Sequence, residues 1–276
     1  MNDFQRVLDT TERHLLTLRT AGVRFLSVQA ETMSQLSGPP PVREIPTSLE
    51  TPATVQIESP PESLSPPPSE NLATDMAALR ERAGACLKCP HLVKSRKNVV
   101  FGVGDIHAQL MFVGEAPGAD EDAQGEPFVG AAGQLLTRII KTMGLSRETV
   151  YIANILKCRP DTPGQSSGNR KPTGDEMKTC LPYLLAQIDL IRPKVLVALG
   201  VTAIEGLLGA GGGIGRLRGH FQTFRDIPLM PTFHPAYLLR NQALTEKRKV
   251  WEDMLKVMEK LQMPISEKQQ GYFLQP

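Results

Sequence analysis

Residues 110–133, with the sequence LMFVGEAPGADEDAQGEPFVGAAG, decide the fold. The segment opens with a short apolar run that stops at Gly114, and a helical pattern follows over 131–143. Three similar apolar runs occur later in the chain, at 149–152, 195–199 and, more weakly, 228–233. Further helical patterns occupy 174–191, 201–208 and 243–261. Continuous apolar strands that alternate with helices predict an α/β fold whose parallel sheet is covered on both faces.

The loops after the carboxyl ends of these strands are the expected ligand sites. Ligands of open α/β sheets bind in the crevice outside those ends. The rule selects four places, which are 114–118, 154–158, Gly200 and 234–240.

The charges of the chain are unevenly distributed. The 276 residues include 31 basic and 29 acidic side chains, and this near balance argues against a histone-like DNA binder. Residues 1–74 contain five basic and nine acidic side chains, which leaves 26 and 20 for the rest. An acidic extension therefore precedes a basic domain, whose surface suits a polyanion without specifying one.

The acidic extension has two parts. Ten of the 23 prolines fall between Pro39 and Pro68. Such a segment buries too little apolar surface to fold, so we expect a disordered linker over 36–74. Apolar residues at helical spacing over 3–29 predict a helix within the N-terminal extension, residues 1–35. That helix can pack on its own domain, associate with another copy or dock a protein partner, and the sequence leaves the three open.

The sequence carries no signal for a membrane or for secretion. No apolar run approaches the roughly 18 residues that suggest a membrane span. The first residues lack a basic region followed by an apolar stretch. We therefore expect a cytoplasmic protein without a membrane partner.

All four cysteines lie in the basic domain, at Cys86, Cys89, Cys158 and Cys180. Cys86 and Cys89 form a C-x-x-C pair, which lets two thiolates from one turn reach the same centre. In a cytoplasmic protein this set indicates a four-thiolate metal or cluster site more than disulfides. Zinc and iron–sulfur clusters both accept four cysteines, and the spacing alone does not separate them.

Three side chains near strand ends have the chemistry to bind a planar base. Phe128 lies between a proline and a glycine-rich segment and can stack on a ring. Asn154 can donate and accept at once, which matches the carbonyl and the N–H of a pyrimidine edge. His234 can donate to a carbonyl oxygen that carries negative charge. Each has an ordinary alternative: a core phenylalanine, a turn-capping asparagine and a loop histidine.

Three long motifs occur in order along the basic domain: GEAPGADEDAQGEPFVGAAG at 114–133, YIANILKCRP at 151–160 and HPAYLLR at 234–240. With the four cysteines, they resemble the family-4 uracil-DNA glycosylases, which are the iron–sulfur members of the uracil-DNA glycosylase superfamily. The resemblance covers about residues 80–260 and leaves residues 1–75 outside it.

The resemblance implies a fold, a cofactor and an activity. The fold is a three-layer α/β/α sandwich around a four-stranded parallel sheet, with the glycosylase domain at 75–262 and a flexible C-terminal tail at 263–276. The cofactor is a structural [4Fe–4S] cluster on Cys86, Cys89, Cys158 and Cys180. The activity is that of a monomeric, monofunctional enzyme of base excision repair. It hydrolyses the N-glycosidic bond of uracil in single- or double-stranded DNA and leaves an abasic site, with no lyase step.

The resemblance also assigns roles within the uracil site. Phe128 would stack on the extruded uracil, Asn154 would read its O4 and N3–H, and His234 would stabilise its O2 as the bond breaks. The backbone at Gly114 and Ala116 would line the same site.

Glu115 is where this chain departs from a related pattern. Family-1 relatives place an aspartate in the first motif to position the attacking water, and the corresponding region here offers Glu115 instead. We expect this carboxylate either to position the water or stabilise the sugar cation, or else to shape the pocket against the methyl group of thymine.

The last motif supplies the expected DNA contacts. Leu238 would wedge into the base stack where the uracil leaves. Arg240 would contact phosphates, together with Lys157 and Arg159.

The competing interpretation of the whole protein is a non-catalytic iron–sulfur module of the same fold that binds DNA or serves replication.

Overall fold

The computed structural model describes residues 71–161, 169–209 and 213–274. Every described residue belongs to one compact unit of the chain. The helix expected over 3–29 and residues 36–70 of the expected linker lie outside the described residues. The end of that predicted linker is wrong, because a helix begins at Leu72.

A six-stranded sheet forms the centre of the domain, in the order β1-β3-β2-β4-β6-β5. Its strands are β1 (Val103–Gly104), β2 (Leu110–Gly114), β3 (Tyr151–Asn154), β4 (Val195–Leu199), β5 (Gln222–Phe224) and β6 (Ile227–Thr232). The four inner strands are parallel, and β1 and β5 pair antiparallel at the two edges. The predicted α/β sheet is confirmed, but the count of four strands is wrong. The two additional strands have only two and three residues, too few for a periodic sequence pattern.

Ten helices surround this sheet in the described residues. They are α1 (Leu72–Gly84), α2 (Pro90–Ser95), α3 (Ala119–Gln124), α4 (Ala131–Thr142), α5 (Gly174–Ile191), α6 (Val201–Leu208), α7 (Ile214–Leu217), α8 (Pro235–Arg240), α9 (Leu244–Lys260) and α10 (Glu267–Gln270). The four long predicted helices are confirmed as α4, α5, α6 and α9, each within one residue at either end.

Two apolar cores lie on the two faces of the sheet. Successive residues of a strand point to opposite faces, so Met111 and Val113 of β2 join the core that contains residues of α1, α5 and α6. Leu110 and Phe112 join the core that contains residues of α4 and α9. The predicted three-layer α/β/α sandwich follows from this division.

The segment 263–274, expected to be a flexible tail, is packed against the domain. Gln269 of α10 donates from Nε2 to the carbonyl of Thr142 at 2.8 Å, and its own carbonyl accepts from the indole of Trp251. Arg248 donates to the carbonyl of Tyr272 at 2.8 Å. Met263, Ile265 and Tyr272 also pack against the apolar core, but they are too scattered in this short segment to form a periodic pattern.

Among the described residues, no helix combines the length and apolar character needed to cross a lipid bilayer.

Candidate active site

A cavity of about 390 Å³ opens at the carboxyl ends of β2, β3 and β6. The predicted site residues that line it are Glu115, Ala116, Phe128, Asn154, His234 and Arg240. These residues are far apart in sequence, and the parallel sheet brings the loops that carry them to one edge. The expectation that ligand sites follow the strand ends is therefore met by three loops at one place.

Asn154 presents an unsatisfied acceptor in this cavity. It is the last residue of β3 and only 2% exposed. Its Oδ1 atom is buried and has no hydrogen-bond partner among the described residues. A buried polar atom without a partner is costly. A ligand N–H that reaches the cavity would relieve that cost.

The side chain of Lys157 contacts Asn154 from the interior of the domain and does not reach the surface. Its Nζ donates to the main-chain carbonyl of Asn154 at 3.0 Å and to Oε1 of Gln187 at 2.6 Å. The side chain is buried, and burial lowers the pKa of its amine to about 7. The predicted phosphate contact of Lys157 does not fit this position. The sequence does not reveal that Lys157 is buried, because Gln187, whose amide oxygen accepts from the amine, lies on α5, 30 residues along the chain.

Phe128 occupies a constrained position on the same cavity. Its backbone has φ 56°, a left-handed conformation that is unusual for a bulky residue, and the ring is only 6% exposed. Arg147 donates from Nη1 to the carbonyl of Phe128 at 3.0 Å and from Nη2 to that of Pro127 at 2.7 Å. A Cβ on Gly133 would lie 1.8 Å from the carbonyl oxygen of Phe128, so only glycine fits there.

Glu121 ties the loop after β2 to the loop that carries Phe128. Its Oε2 accepts the N–H of Gly118 at 3.1 Å, and its Oε1 accepts those of Val129 and Gly130, both at 3.0 Å. Sequence reasoning gave Glu121 no role. The available signal was its spacing, since a glutamate three residues after the start of a helix often bonds back to the backbone there.

His234 is held as a neutral donor. It precedes α8, and its Nδ1 accepts the backbone N–H of Ala236 at 3.2 Å. Burial, with a contribution from the positive charge of Arg240, lowers the pKa of His234 to about 4. Because Nδ1 accepts, the single proton of the neutral ring lies on Nε2. The imidazole and the ring of Phe128 lie 5.7 Å apart between centroids, at 32°.

Glu115 lines the cavity as the one carboxylate that the first motif places directly after β2. Its main-chain carbonyl accepts the N–H of Leu156 at 3.1 Å. The loops after β2 and β3 are thereby joined below the cavity.

The exposed leucine of α8 is not the one that the sequence predicted. Leu238 is 5% exposed and faces the interior, whereas Leu239 is 37% exposed. A wedge must reach DNA from the surface, so the prediction for Leu238 does not fit this structure and Leu239 is the candidate. Two adjacent leucines look alike in sequence, but consecutive helix positions point about 100° apart. Arg240 is exposed at the end of the same helix.

The four cysteines line one small cavity, beside Arg96, Glu176 and Thr179. None is in a disulfide. Arg96 donates from Nη1 to Sγ of Cys158 and the backbone N–H of Lys157 donates to Sγ of Cys180, both at 3.2 Å. Among the described residues, no three His, Cys, Asp or Glu side chains are grouped so as to hold a single metal ion.

The donor set of this cavity fits an iron–sulfur cluster. Burial raises the pKa of Cys89 and Cys158, and that of Cys180 to about 11, and neighbouring cysteines add to each shift. Four thiolates here therefore need a bound positive centre. Two N–H donors already point at sulfur, as they do around clusters.

Glu176 lies between the cysteine cavity and the cavity at the strand ends. It is 3% exposed and lines the first, while its partner Arg170 lines the second. Arg170 donates to both carboxylate oxygens and His91 lies 2.6 Å from one of them. The hydrogen bonds from Arg170, with further bonds from Thr173 and His91, lower the pKa of Glu176 to about 2.

Comparisons with known proteins agree with this geometry. The sequence profile of the Uracil DNA glycosylase superfamily matches residues 101–255. A type-4 uracil-DNA glycosylase of Thermotoga maritima is 45% identical over 184 residues, 66% of this chain and 92% of that protein. The type-4 enzyme of Saccharolobus solfataricus is 44% identical over 64% of this chain and 82% of its own length. A DNA polymerase of Bacillus phage SP01 is 29% identical over half of this chain but only 14% of the polymerase.

Proposed function

The chain belongs to the uracil-DNA glycosylase superfamily, and we infer that it is a DNA repair enzyme that removes uracil from DNA. The observation that carries the inference is the unpartnered Oδ1 of Asn154 in the cavity that also holds Phe128 and His234. A recognition group for a base, a stacking surface and a donor for a leaving group meet there.

Uracil enters this cavity only after it leaves the base stack. Extrusion from a duplex costs a few kcal/mol, and less at a mismatch. The ring of Phe128 supplies a face on which the extruded base stacks. Leu239 occupies the vacated space in the DNA, and the exposed guanidinium of Arg240 contacts a phosphate.

Asn154 selects uracil by its hydrogen-bonding edge. Its Oδ1 accepts the N3–H of uracil and its Nδ2 donates to O4. Cytosine presents a bare nitrogen and an amine at these two positions, so the same amide orientation leaves both groups unsatisfied. The penalty for such buried, unpaired groups makes this kind of selection strong.

His234 stabilises the leaving group. When the C1′–N1 bond breaks, its electron pair leaves with uracil, and negative charge develops on O2. The Nε2–H of the neutral imidazole donates to that oxygen, and the backbone amides near Glu115 and Ala116 assist. Donors fixed in advance at the developing charge need no reorganisation during the reaction.

A water molecule completes the reaction at C1′ of the sugar. Glu115 orients this water, takes its proton and stabilises the positive charge of the sugar. A lyase step would need an amine nucleophile. Among the described residues that line the cavity there is no lysine, which supports a monofunctional enzyme.

Cys86, Cys89, Cys158 and Cys180 hold a [4Fe–4S] cluster in this proposal. When bound, it cross-links the segment before α2, the loop after β3 and helix α5. Lys157 and Glu176 reach from that region to Asn154 and to Arg170, so the cross-link fixes the back wall of the uracil site. No catalytic step passes through the cluster.

A non-catalytic DNA-binding module is the alternative. The stretch shared with a phage polymerase favours it only in part, because that stretch is 14% of the polymerase. An unsatisfied acceptor beside a neutral histidine suits base release rather than passive binding. The expected cytoplasmic location, monomeric state and partner-docking role of residues 1–35 remain parts of this proposal.

An oligonucleotide assay tests the proposed function. The cluster-containing full chain is incubated with strands that carry U·G, U·A, single-stranded uracil, hypoxanthine or only normal bases, and alkali then cleaves abasic sites. We expect cleavage at uracil and none at cytosine or thymine. Absence of abasic product from all uracil strands, with iron present, would favour the non-catalytic module.

A further inference from the structure

A second, apolar cavity of about 620 Å³ lies between α4, α8, α9 and the C-terminal segment. It is larger than the cavity at the strand ends. Its walls include Leu135, Ile139, Leu238, Trp251 and Tyr272. None of these residues has a role in the uracil chemistry, so the cavity needs a separate explanation.

Helix α8 connects this cavity to the uracil site. The helix and its first flanking residue line the uracil cavity through His234, Ala236 and Arg240. Leu238 and Leu239, on another side of the same helix, line the apolar cavity. An α-helix with its side chains is about 10–12 Å across. Stacked nucleotides lie about 3.4 Å apart along a strand, so a strand with its uracil in the first cavity places a near neighbour at the second.

The rim of the apolar cavity is positively charged. Arg138 and Lys247 lie on it, and no aspartate or glutamate is among its lining residues. In the described part of the chain, neither basic side chain has an ion-pair partner. Such a rim complements a phosphate backbone.

Aromatic rings form one side of the cavity. The rings of Trp251 and Tyr272 lie 5.6 Å apart at 69°, and the bond from Trp251 to α10 fixes the indole. Phe273 follows, with 39% of its surface exposed, and Leu239 is 37% exposed at the opposite side. Aromatic side chains beside basic groups are the usual platform for unstacked bases.

We propose that this cavity binds a base of the uracil-containing strand, one to three nucleotides from the extruded uracil. The base packs against Tyr272 and Phe273 while Arg138 and Lys247 contact its phosphates. The proposal rests on the proposed function, since it names a second subsite for the same DNA. It makes the enzyme sensitive to whether the neighbouring positions of the strand carry bases.

Kinetics on altered strands test this subsite. Tyr272→Ala and Phe273→Ala are compared with Leu274→Ala, a matched control that is exposed and does not line the cavity. On single strands with normal flanking bases, we expect each of the first two variants to raise KM about tenfold with kcat unchanged. On strands whose flanking positions lack bases, wild type should lose the same factor and the effect of the variants should vanish. Equal KM values for all four proteins on normal strands would overturn the proposal.

Fluorescence supplies a readout that does not depend on activity. Trp251 is the single tryptophan of the chain, so its emission reports on this cavity. Titration with a uracil-free single strand should change the emission, and an abasic strand of equal length should not. Equal responses to both strands, or none, would reject a base subsite and leave a protein partner as the occupant to examine. If no uracil strand is cleaved, the proposed function fails; uracil release with unchanged KM values rejects this inference alone.

Discussion

Gly114 lies so close to Asn154 that a Cβ added to the glycine would sit 2.4 Å from Oδ1 of the asparagine and 2.5 Å from Cζ of Phe128. The last residue of β2 therefore leaves open the space in which the two uracil-binding side chains meet. Gly114→Ala should displace both, and displacement of about 1 Å costs on the order of 100-fold in rate. Single-turnover release of uracil measures the loss.

Gly174→Ala is the control for this substitution, because a Cβ at Gly174 meets nothing within 4 Å. It should keep the wild-type rate. Normal uracil release by Gly114→Ala would show that the two side chains tolerate the added carbon and that the cavity is wider than the distances indicate.

Asn154→Ala removes the group that reads the base. We expect the single-turnover rate on uracil to fall at least about 100-fold, with the affinity for uracil-free DNA unchanged, because phosphate contacts supply that affinity. Gel-shift titration and uracil release measure the two separately. A variant as active as wild type would remove Asn154 from the uracil site.

The sheet and its long helices could be read from the sequence because their patterns are local. The inner strands are apolar on both faces, as in Val195–Leu199, and the four long helices keep their spacing over eight or more residues. The edge strands β1 and β5 are too short to show a period. The docking of 263–274 depends on main-chain carbonyls and on a few scattered apolar side chains, which form no periodic pattern in the sequence.

The site residues likewise divide into those with a local sequence signal and those whose position depends on the tertiary fold. Asn154 and His234 lie at the ends of predicted strands, so a rule about strand ends located them, whereas Phe128 was located by its proline and glycine-rich surroundings. Lys157 was misplaced because its burial depends on Gln187, which only the tertiary fold brings near. The choice between Leu238 and Leu239 depends on the rotation of a six-residue helix, which composition cannot fix.

Cys158→Ser should abolish assembly of the cluster, because a serine hydroxyl stays protonated and does not replace a thiolate as an iron ligand. We expect iron and sulfide per chain to fall and the thermal midpoint to decrease, as measured by metal analysis and calorimetry. Thr179→Ala, which lines the same cavity without a thiol, is the matched control. A full complement of iron in Cys158→Ser would exclude this cysteine from the ligand set.

Lys157→Met should separate activity from stability. The methionine fills similar space but cannot donate to the carbonyl of Asn154, so uracil release should fall about tenfold or more. Stability should change little, because relief of the buried amine offsets the cost of leaving the buried Oε1 of Gln187 without that donor. Lys178→Met, at an exposed position of α5, serves as the control. If a lower thermal midpoint accounts for the whole loss of activity, Lys157 has only a structural role.

The lowered pKa of His234 predicts the pH dependence of both catalysis and folding. With a pKa of about 4, the imidazole stays neutral from pH 8 to pH 5, so the ratio of wild-type to His234→Gln rates should be constant over that range. An ordinary pKa near 6.5 would leave about 3% of the ring neutral at pH 5 and reduce the ratio about 30-fold. In the unfolded chain His234 binds a proton below about pH 6.5, whereas in the folded protein it does so only near pH 4. Stability should therefore fall by about 2 kcal/mol between pH 6.5 and pH 5 in wild type relative to His234→Gln, as seen in their thermal midpoints. A rate ratio that drops as the pH falls through 6.5 would show that His234 titrates like a solvent-exposed imidazole, and a ratio that rises would show that the imidazolium is the active donor.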